Sequence, residues 1–89
     1  MSQLDEIRSQ VRTFILKQFP VAQRTSLGDA ESLVESGIID SMGVLELVTF
    51  IEAEFDLVLS DEDVVSENFD SIATISSFIE ERLAISSEG

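Results

Sequence analysis

Apolar residues recur at intervals of three and four along three stretches of this chain. The three sets are Leu4, Ile7, Val11, Phe14 and Ile15; Val44, Leu47, Val48, Ile51 and Phe55; and Ile72, Ile75, Phe78, Ile79 and Leu83. This spacing places each set on one face of an α-helix. Val64 and Val65, which follow capping residues, indicate a shorter helix, and no stretch indicates a strand. The pattern predicts an all-α fold, a small four-helix bundle with three long helices and one short helix.

Capping residues and helix breakers set the expected boundaries. Helices are expected over residues 2–18, 41–55, 61–66 and 71–84, with a long loop over 19–40 and a frayed tail at 86–89. The supporting signals are a capping box of Ser2 with Asp5, a stop at Pro20, a cap at Ser60 with Asp63, and a cap at Asp70 or Ser71. Residues 1–89 show no repeat, linker or change of composition, and they predict a single domain.

The loop over 19–40 is expected to be pinned to the core by Leu27, Leu33 and Val34. Loops of this length are uncommon in compact domains unless they have a function. The end of the loop, where Ser41 opens the next helix, is therefore the first place to look for a functional site.

Ser41 stands in the first turn of the helix expected over 41–55. A hydroxyl there lies beside unpaired backbone N–H groups and the positive end of the helix dipole, which favour a phosphate attached to it. A nucleophilic serine needs a neighbouring base. The chain has no His and no Cys, and its one lysine, Lys17, belongs to another segment. We therefore expect no enzyme activity, and we expect Ser41 to be the attachment point of a group that another enzyme adds.

The formal net charge of −13 is unevenly distributed along the chain. No Lys or Arg lies between Thr25 and Glu81, where fifteen of the eighteen carboxylates occur. Such a surface repels nucleic acid and anionic membranes and attracts basic protein surfaces. The crowding also predicts that folding raises the pKa of several carboxyl groups. Composition alone leaves a specific basic partner and a merely solubilising acidic surface equally open.

Composition also bears on location and on metal binding. The absence of cysteine suits a reducing compartment, the first residues lack the regions of a signal peptide, and no apolar run approaches the roughly 20 residues of a membrane span. We expect a cytoplasmic monomer. The run Asp61-Glu62-Asp63 lacks the glycine that an EF-hand loop needs, so no metal site is expected.

The start of the 41–55 helix and its lead-in read Gly37-Ile38-Ile39-Asp40-Ser41-Met42-Gly43-Val44-Leu45-Glu46-Leu47-Val48. This segment resembles the 4′-phosphopantetheine attachment segment of acyl and peptidyl carrier proteins. The resemblance continues through residues 50–56, 60–63 and 68–72, and upstream it includes Asp29 and Ser32-Leu33-Val34. It covers most of the chain, approximately residues 2–85.

The resemblance implies a prosthetic group on Ser41. A phosphopantetheinyl transferase would transfer 4′-phosphopantetheine from coenzyme A to this serine, and Asp40 would help to position the phosphate's metal ion or the transferase. The thiol of the arm would then carry an acyl or aminoacyl group as a thioester between enzymes. The expected function is that of an acyl or aminoacyl carrier protein.

The resemblance also implies a partner-binding surface. A loading ligase and downstream acyl-processing enzymes, with basic docking surfaces, would contact Met42, Leu45 and Glu46, and a second acidic patch at Asp61 and Glu62. The helical pattern adds that the side of the 41–55 helix away from the core carries Met42, Glu46, Thr49, Phe50 and Ala53, with Leu45 at its border. The alternative is that Phe50 or Leu45 packs under the long loop.

Three positions differ from the fatty-acid type of carrier. Ile38 replaces a glycine three residues before the serine, Gly43 replaces an acidic residue two after it, and Ala53 replaces a carboxylate late in the helix. A Gly-Ile-Ile-Asp-Ser-Met run is more typical of discrete carriers dedicated to one pathway, including amino-acid carriers. Fatty acid, polyketide and nonribosomal peptide biosynthesis all remain open as the pathway.

Two other functions fit the same residues. One is an acidic helical adaptor or inhibitor that docks on a basic protein and is never modified. The other is a degenerate carrier fold that serves as a scaffold. Modification of Ser41 separates the carrier from both alternatives.

Overall fold

The computed structural model describes residues 3–24, 27–65 and 67–88, with side chains through Ile85. Four helices follow one another along the chain: α1 (Gln3–Gln18), α2 (Pro20–Gln23), α3 (Ser41–Phe55) and α4 (Ile72–Glu88). The described residues contain no strand. The all-α expectation is confirmed, although the short helix is not the one that the sequence predicts.

Helix α1 packs mainly against α4. Ile7, Val11 and Ile15 lie four residues apart on one face of α1 and are buried. Their counterparts on α4 include Ile72, Ile75 and Ile79, which are fully buried. The capping box expected at the start of α1 includes Ser2, which lies outside the described residues.

Pro20 ends α1 as expected and also starts a new helix. Phe19 is extended (φ −120°, ψ 97°), which is the backbone conformation that a following proline favours. Proline then occupies the first turn of the four-residue helix α2, where its missing N–H is not needed. The segment predicted as a continuous loop over 19–40 therefore begins with a helical turn, which buries Ala22.

The remaining loop is held by backbone hydrogen bonds and by buried side chains. The Leu33 N–H donates to the Asp70 carbonyl (2.7 Å), and the Ala73 N–H donates to the Asp29 carbonyl (2.8 Å). Arg12 of α1 adds an ion pair with Asp29. These contacts attach the loop to α1 and to the start of α4.

The side chains that anchor this loop differ in part from the expected set. Leu27 and Leu33 are buried as expected, whereas Val34 is half exposed. Ile38 and Ile39 are buried in its place, because the chain turns back toward the core just before α3.

Helix α3 spans the range 41–55 that is expected from the sequence. Asp40 caps its first turn, and Asp56 ends it in the left-handed conformation (φ 53°). Leu47 and Ile51 are buried, while Val44, Val48 and Phe55 are partly buried against the core. The predicted core face is thus confirmed, with its centre on the Leu47–Ile51 line.

The short helix predicted over 61–66 is wrong for the residues that the structure describes. Residues 61–63 form turns, with the Asp63 N–H bonded to the Ser60 carbonyl (3.0 Å) and the Val64 N–H bonded to the Asp61 carbonyl (3.2 Å). The Asn68 side-chain amide donates to the Asp63 carbonyl (2.8 Å). In a continuing helix, this carbonyl would instead accept from the backbone N–H four residues further along the chain. Consecutive β-branched valines further disfavour a helix here. Ser66 lies outside the described residues.

Helix α4 begins at a reciprocal cap and runs further than expected. The Thr74 N–H donates to the Ser71 hydroxyl (3.1 Å), and the Ser71 N–H donates to the Thr74 hydroxyl (2.9 Å). Of the two expected caps, Ser71 is the one that acts. The helix continues to Glu88, four residues beyond the predicted end at residue 84, since no Gly or Pro interrupts it earlier.

Arg82 of α4 holds the segment between α3 and α4. Its guanidinium donates to Asp63 Oδ1 (2.8 Å) and to the Val58 carbonyl (3.3 Å), and it lies 5.9 Å from the centre of the Phe78 ring. The pKa of Asp63 is lowered, chiefly by the hydrogen bond from the Ser60 backbone N–H and also by the Ser60 hydroxyl and the Arg82 guanidinium. Partial burial of the carboxyl group acts in the opposite direction. This shift is opposite to the one that carboxylate crowding predicts.

This arrangement predicts how stability depends on pH. A lowered folded-state pKa stabilises the fold above the unfolded value of about 4, and this contribution is lost as the pH falls through the folded value. Asp63→Asn should therefore lower the melting temperature at neutral pH, and the difference from the parent should shrink below about pH 4. Asp61→Asn, an exposed neighbour with the same charge change, is the control. A penalty for Asp63→Asn that persists unchanged in acid would contradict this role.

Candidate functional site

Ser41 is exposed at the first position of α3, and the chain that leads to it is fixed. The Leu33 carbonyl accepts from the N–H groups of both Ile38 (3.0 Å) and Ile39 (3.1 Å). Gly37 makes the turn with a φ of +78°, a region that favours glycine. Because both isoleucines are buried, the next residues emerge at the surface, and the serine hydroxyl is accessible there.

Asp40 organises the first turn of α3. Its backbone is extended, its Oδ1 accepts from the Gly43 N–H (2.9 Å), and its carbonyl accepts from the Val44 N–H (3.0 Å). The first four N–H groups of a helix have no partner within the helix. Asp40 caps the Gly43 N–H. The backbone N–H groups of Ser41 and Met42, the first two residues of α3, lie next to the serine hydroxyl. This is a suitable environment for an anionic substituent on the serine.

Gly43 lets the first turn of α3 pack closely on the core. A Cβ at this position would lie 2.9 Å from Ile39 Cγ2 and 3.0 Å from Phe19 Cε1. Glycine at this position therefore lets Ile39 and the Phe19 ring lie closer to the first turn of α3 than a side chain would allow.

An apolar groove of about 400 Å³ opens beside Ser41. Its walls come from the long loop, from α3 and from the segment before α4, and the lining residues are Val34, Ser41, Val44, Leu45, Val64, Val65 and Phe69. Val34, which is expected from the sequence to pin the loop to the core, lines this groove instead. Its apolar side chain alone does not indicate that it is exposed.

The residues expected to contact partners are all at the surface. Met42 is 70% exposed and Leu45 is 59% exposed, so Leu45 does not pack under the loop. Asp61 and Glu62 are exposed in the turn after α3. Glu46 is also exposed, and its Oε1 accepts from Gln18 of α1 (3.3 Å).

Phe50 is only partly exposed on the outward side of α3. Its ring contacts lie on α1 and α3 and not under the long loop. It stacks on Phe14 of α1, with ring centroids 4.2 Å apart and planes at 15°, and it meets Phe55 edge-on. It is therefore partly buried between α1 and α3.

Comparison with known proteins identifies a partial relative. No protein-family model matches the chain. A 47-residue region is 43% identical to aminoacyl carrier protein 2 of Bradyrhizobium diazoefficiens, which amounts to 53% of this chain and 52% of that protein. The chain thus spans about half the length of the curated relative that it matches. The match supports a relationship to carrier proteins.

This relationship agrees with one expectation from the residues. The relative is named as a carrier, in agreement with the expectation that this chain is not itself an enzyme. Within the described residues, no helix has both the length and the apolar character that crossing a membrane requires.

The packing at Gly43 gives a testable prediction. Gly43→Ala should reduce the free energy of unfolding by about 1–2 kcal/mol, because the cost of displacing Ile39 and the Phe19 ring exceeds the gain in helix propensity. Gly28→Ala is the matched control, since a Cβ there meets nothing within 4 Å. Chemical denaturation of both variants measures the difference. Equal stabilities would show that the first turn of α3 has room for a side chain.

Proposed function

We propose that this chain is an acyl or aminoacyl carrier protein that carries its cargo on 4′-phosphopantetheine attached to Ser41. The observation that supports this most is the exposed serine at the first position of a capped helix, next to an apolar groove. The similarity to an aminoacyl carrier protein supports the same function independently. The proposed location is the cytoplasm.

The residues around Ser41 fit the proposed group. The hydroxyl is accessible, the helix start favours the phosphate, and the groove beside it offers apolar contact for the arm or its cargo. In the attachment reaction, the serine oxygen would bond to the pyrophosphate phosphorus on the pantetheine side of coenzyme A. The P–O bond of the pyrophosphate bridge would break, adenosine 3′,5′-bisphosphate would leave with the bridging oxygen, and the serine proton would pass to the transferase. The attached group supplies a thiol that holds an acyl or aminoacyl unit as a thioester.

Asp40 has two roles in this proposal. Its side chain caps α3 and so fixes the direction of the first turn. Its carboxylate, which is exposed next to Ser41, also helps to position the phosphate's metal ion or the transferase during attachment.

The proposed partners are a phosphopantetheinyl transferase, a loading ligase and the enzymes that use the loaded cargo. They would contact the exposed apolar residues Met42 and Leu45, with acidic residues such as Glu46, Asp61 and Glu62 around them. Apolar centres with charged rims are typical of protein interfaces. The acidic character of this surface favours partners with basic docking sites.

Attachment at Ser41 is tested by intact mass after incubation with coenzyme A and a promiscuous transferase. The parent should gain one phosphopantetheine unit, and Ser41→Ala should gain none while keeping its helix content by circular dichroism. Ser9→Ala, an exposed serine of α1, should be modified like the parent. A parent that several transferases leave unmodified would instead favour the adaptor or scaffold functions.

The contact surface is tested by the rate of that modification. Leu45→Asp should lower kcat/KM of the transferase about fivefold or more, the effect of losing an interface contact worth about 1 kcal/mol. Val58→Asp makes the same change at a residue that is 84% exposed and does not line the groove. Equal effects of the two substitutions would mean that added charge, and not the surface beside Ser41, determines the rate.

A further inference from the structure

Helices α1 and α3 face each other through a ladder of paired side chains. Residues four apart lie on one face of a helix, and each helix supplies an aromatic residue between two polar ones. The two sets are Gln10, Phe14 and Gln18 on α1 and Glu46, Phe50 and Glu54 on α3. The two phenylalanines stack at 4.2 Å, the Gln18 amide donates to Glu46 (3.3 Å), and Gln10 and Glu54 line one cavity. The pairing shows that the two helices run antiparallel here.

Open grooves lie on both sides of the stacked rings. One has a volume of about 310 Å³ and is also lined by Ser9, Thr13 and Lys17. The other has a volume of about 340 Å³ and is also lined by Thr49 and Ala53. We call the ladder with its two grooves the Phe14–Phe50 trough. Because both rings are only partly buried, the trough presents an aromatic centre at the surface.

The charges of the trough favour a cationic occupant. Glu46 and Glu54 lie eight residues apart on α3, which corresponds to about 12 Å along the helix. They stand on either side of the aromatic stack. Lys17 lines one of the grooves and partly offsets them. A second copy of this chain is disfavoured as the occupant, because it carries the same net charge of −13.

We propose that the Phe14–Phe50 trough is a docking site for a cationic amphipathic helix of a partner protein. Such a helix places an apolar residue against the stacked rings, with basic residues four positions before and after it. This spacing matches that of Glu46 and Glu54, since both helices rise by the same amount per residue. The aromatic rings provide the apolar contact, and the two glutamates determine the register.

The trough is separate from the groove beside Ser41. The residues that line the two share no member. A partner in the trough therefore leaves the groove beside Ser41 open, although Glu46 also belongs to the surface proposed for the enzymes that act on Ser41. The inference goes beyond the proposed carrier function and does not depend on modification of Ser41.

A synthetic helical peptide with the pattern Arg-x-x-x-Leu-x-x-x-Arg tests the inference on the full, unmodified chain. Fluorescence anisotropy measures the affinity, and amide chemical shifts locate the binding site. We expect saturable binding with the largest shifts around Phe14 and Phe50. The double variant Glu46→Gln/Glu54→Gln should weaken binding about three- to tenfold, the size expected for losing two exposed ion pairs. Lys17→Gln should strengthen it, because it removes a like charge.

Matched controls separate docking from general attraction. Glu35→Gln/Glu81→Gln removes two exposed carboxylates that do not line the trough, and it should weaken binding much less. A peptide with Ser in place of the central Leu should also bind more weakly. Phe50→Leu keeps an apolar side chain but loses the stack, and it should weaken binding without unfolding the chain.

Four results would overturn the inference. They are the absence of saturable binding, equal effects of the two double variants, shifts centred on the groove beside Ser41, and sedimentation that shows self-association through the trough. Failure of this test would leave the modification of Ser41 unaffected, and failure of that modification would leave the trough unaffected.

Discussion

The backbone of Leu33 is the point on which the presentation of Ser41 depends. Its N–H is bonded to Asp70 just before α4, and its carbonyl accepts from both Ile38 and Ile39. The two isoleucines are thereby held in the core, and the chain leaves the core immediately afterwards. Asp40 caps α3 at that point. The serine therefore follows a hydrogen-bonded turn and is solvent-accessible, as the proposed attachment site requires.

Local signals predicted α3 well because they are contained in neighbouring residues. Asp40 caps the helix through Gly43, and the apolar spacing fixes its buried face, so the range 41–55 and the exposure of Ser41 could be predicted from sequence. The segment over 61–66 could not, since its turns depend on Arg82, nineteen residues from Asp63, and on the Asn68 amide. The position of Phe50 likewise depends on Phe14 of another helix. Errors arose where side chains distant in sequence decide the structure.

Helix α3 presents different chemistry on its two exposed sides. One side borders the apolar groove at Ser41, where Met42 and Leu45 are solvent-exposed. The other side meets α1 through the Phe14–Phe50 stack, with Glu46 and Glu54 flanking it. Gly43 and Leu47 face the core between these sides. The apolar groove and the trough thus use different residues of α3, while Glu46 belongs both to the trough and to the surface proposed for the enzymes that act on Ser41.

The central claim is that Ser41 carries a thiol-bearing arm. Counting thiols tests it most directly, because the chain contains no cysteine. The chain itself has no thiol, so any thiol found after treatment with coenzyme A and a transferase, once free coenzyme A is removed, belongs to an attached group. Titration with a thiol reagent should give one thiol per chain, located by peptide mapping at Ser41. A count of zero, or a thiol-bearing peptide that lacks Ser41, would contradict the account.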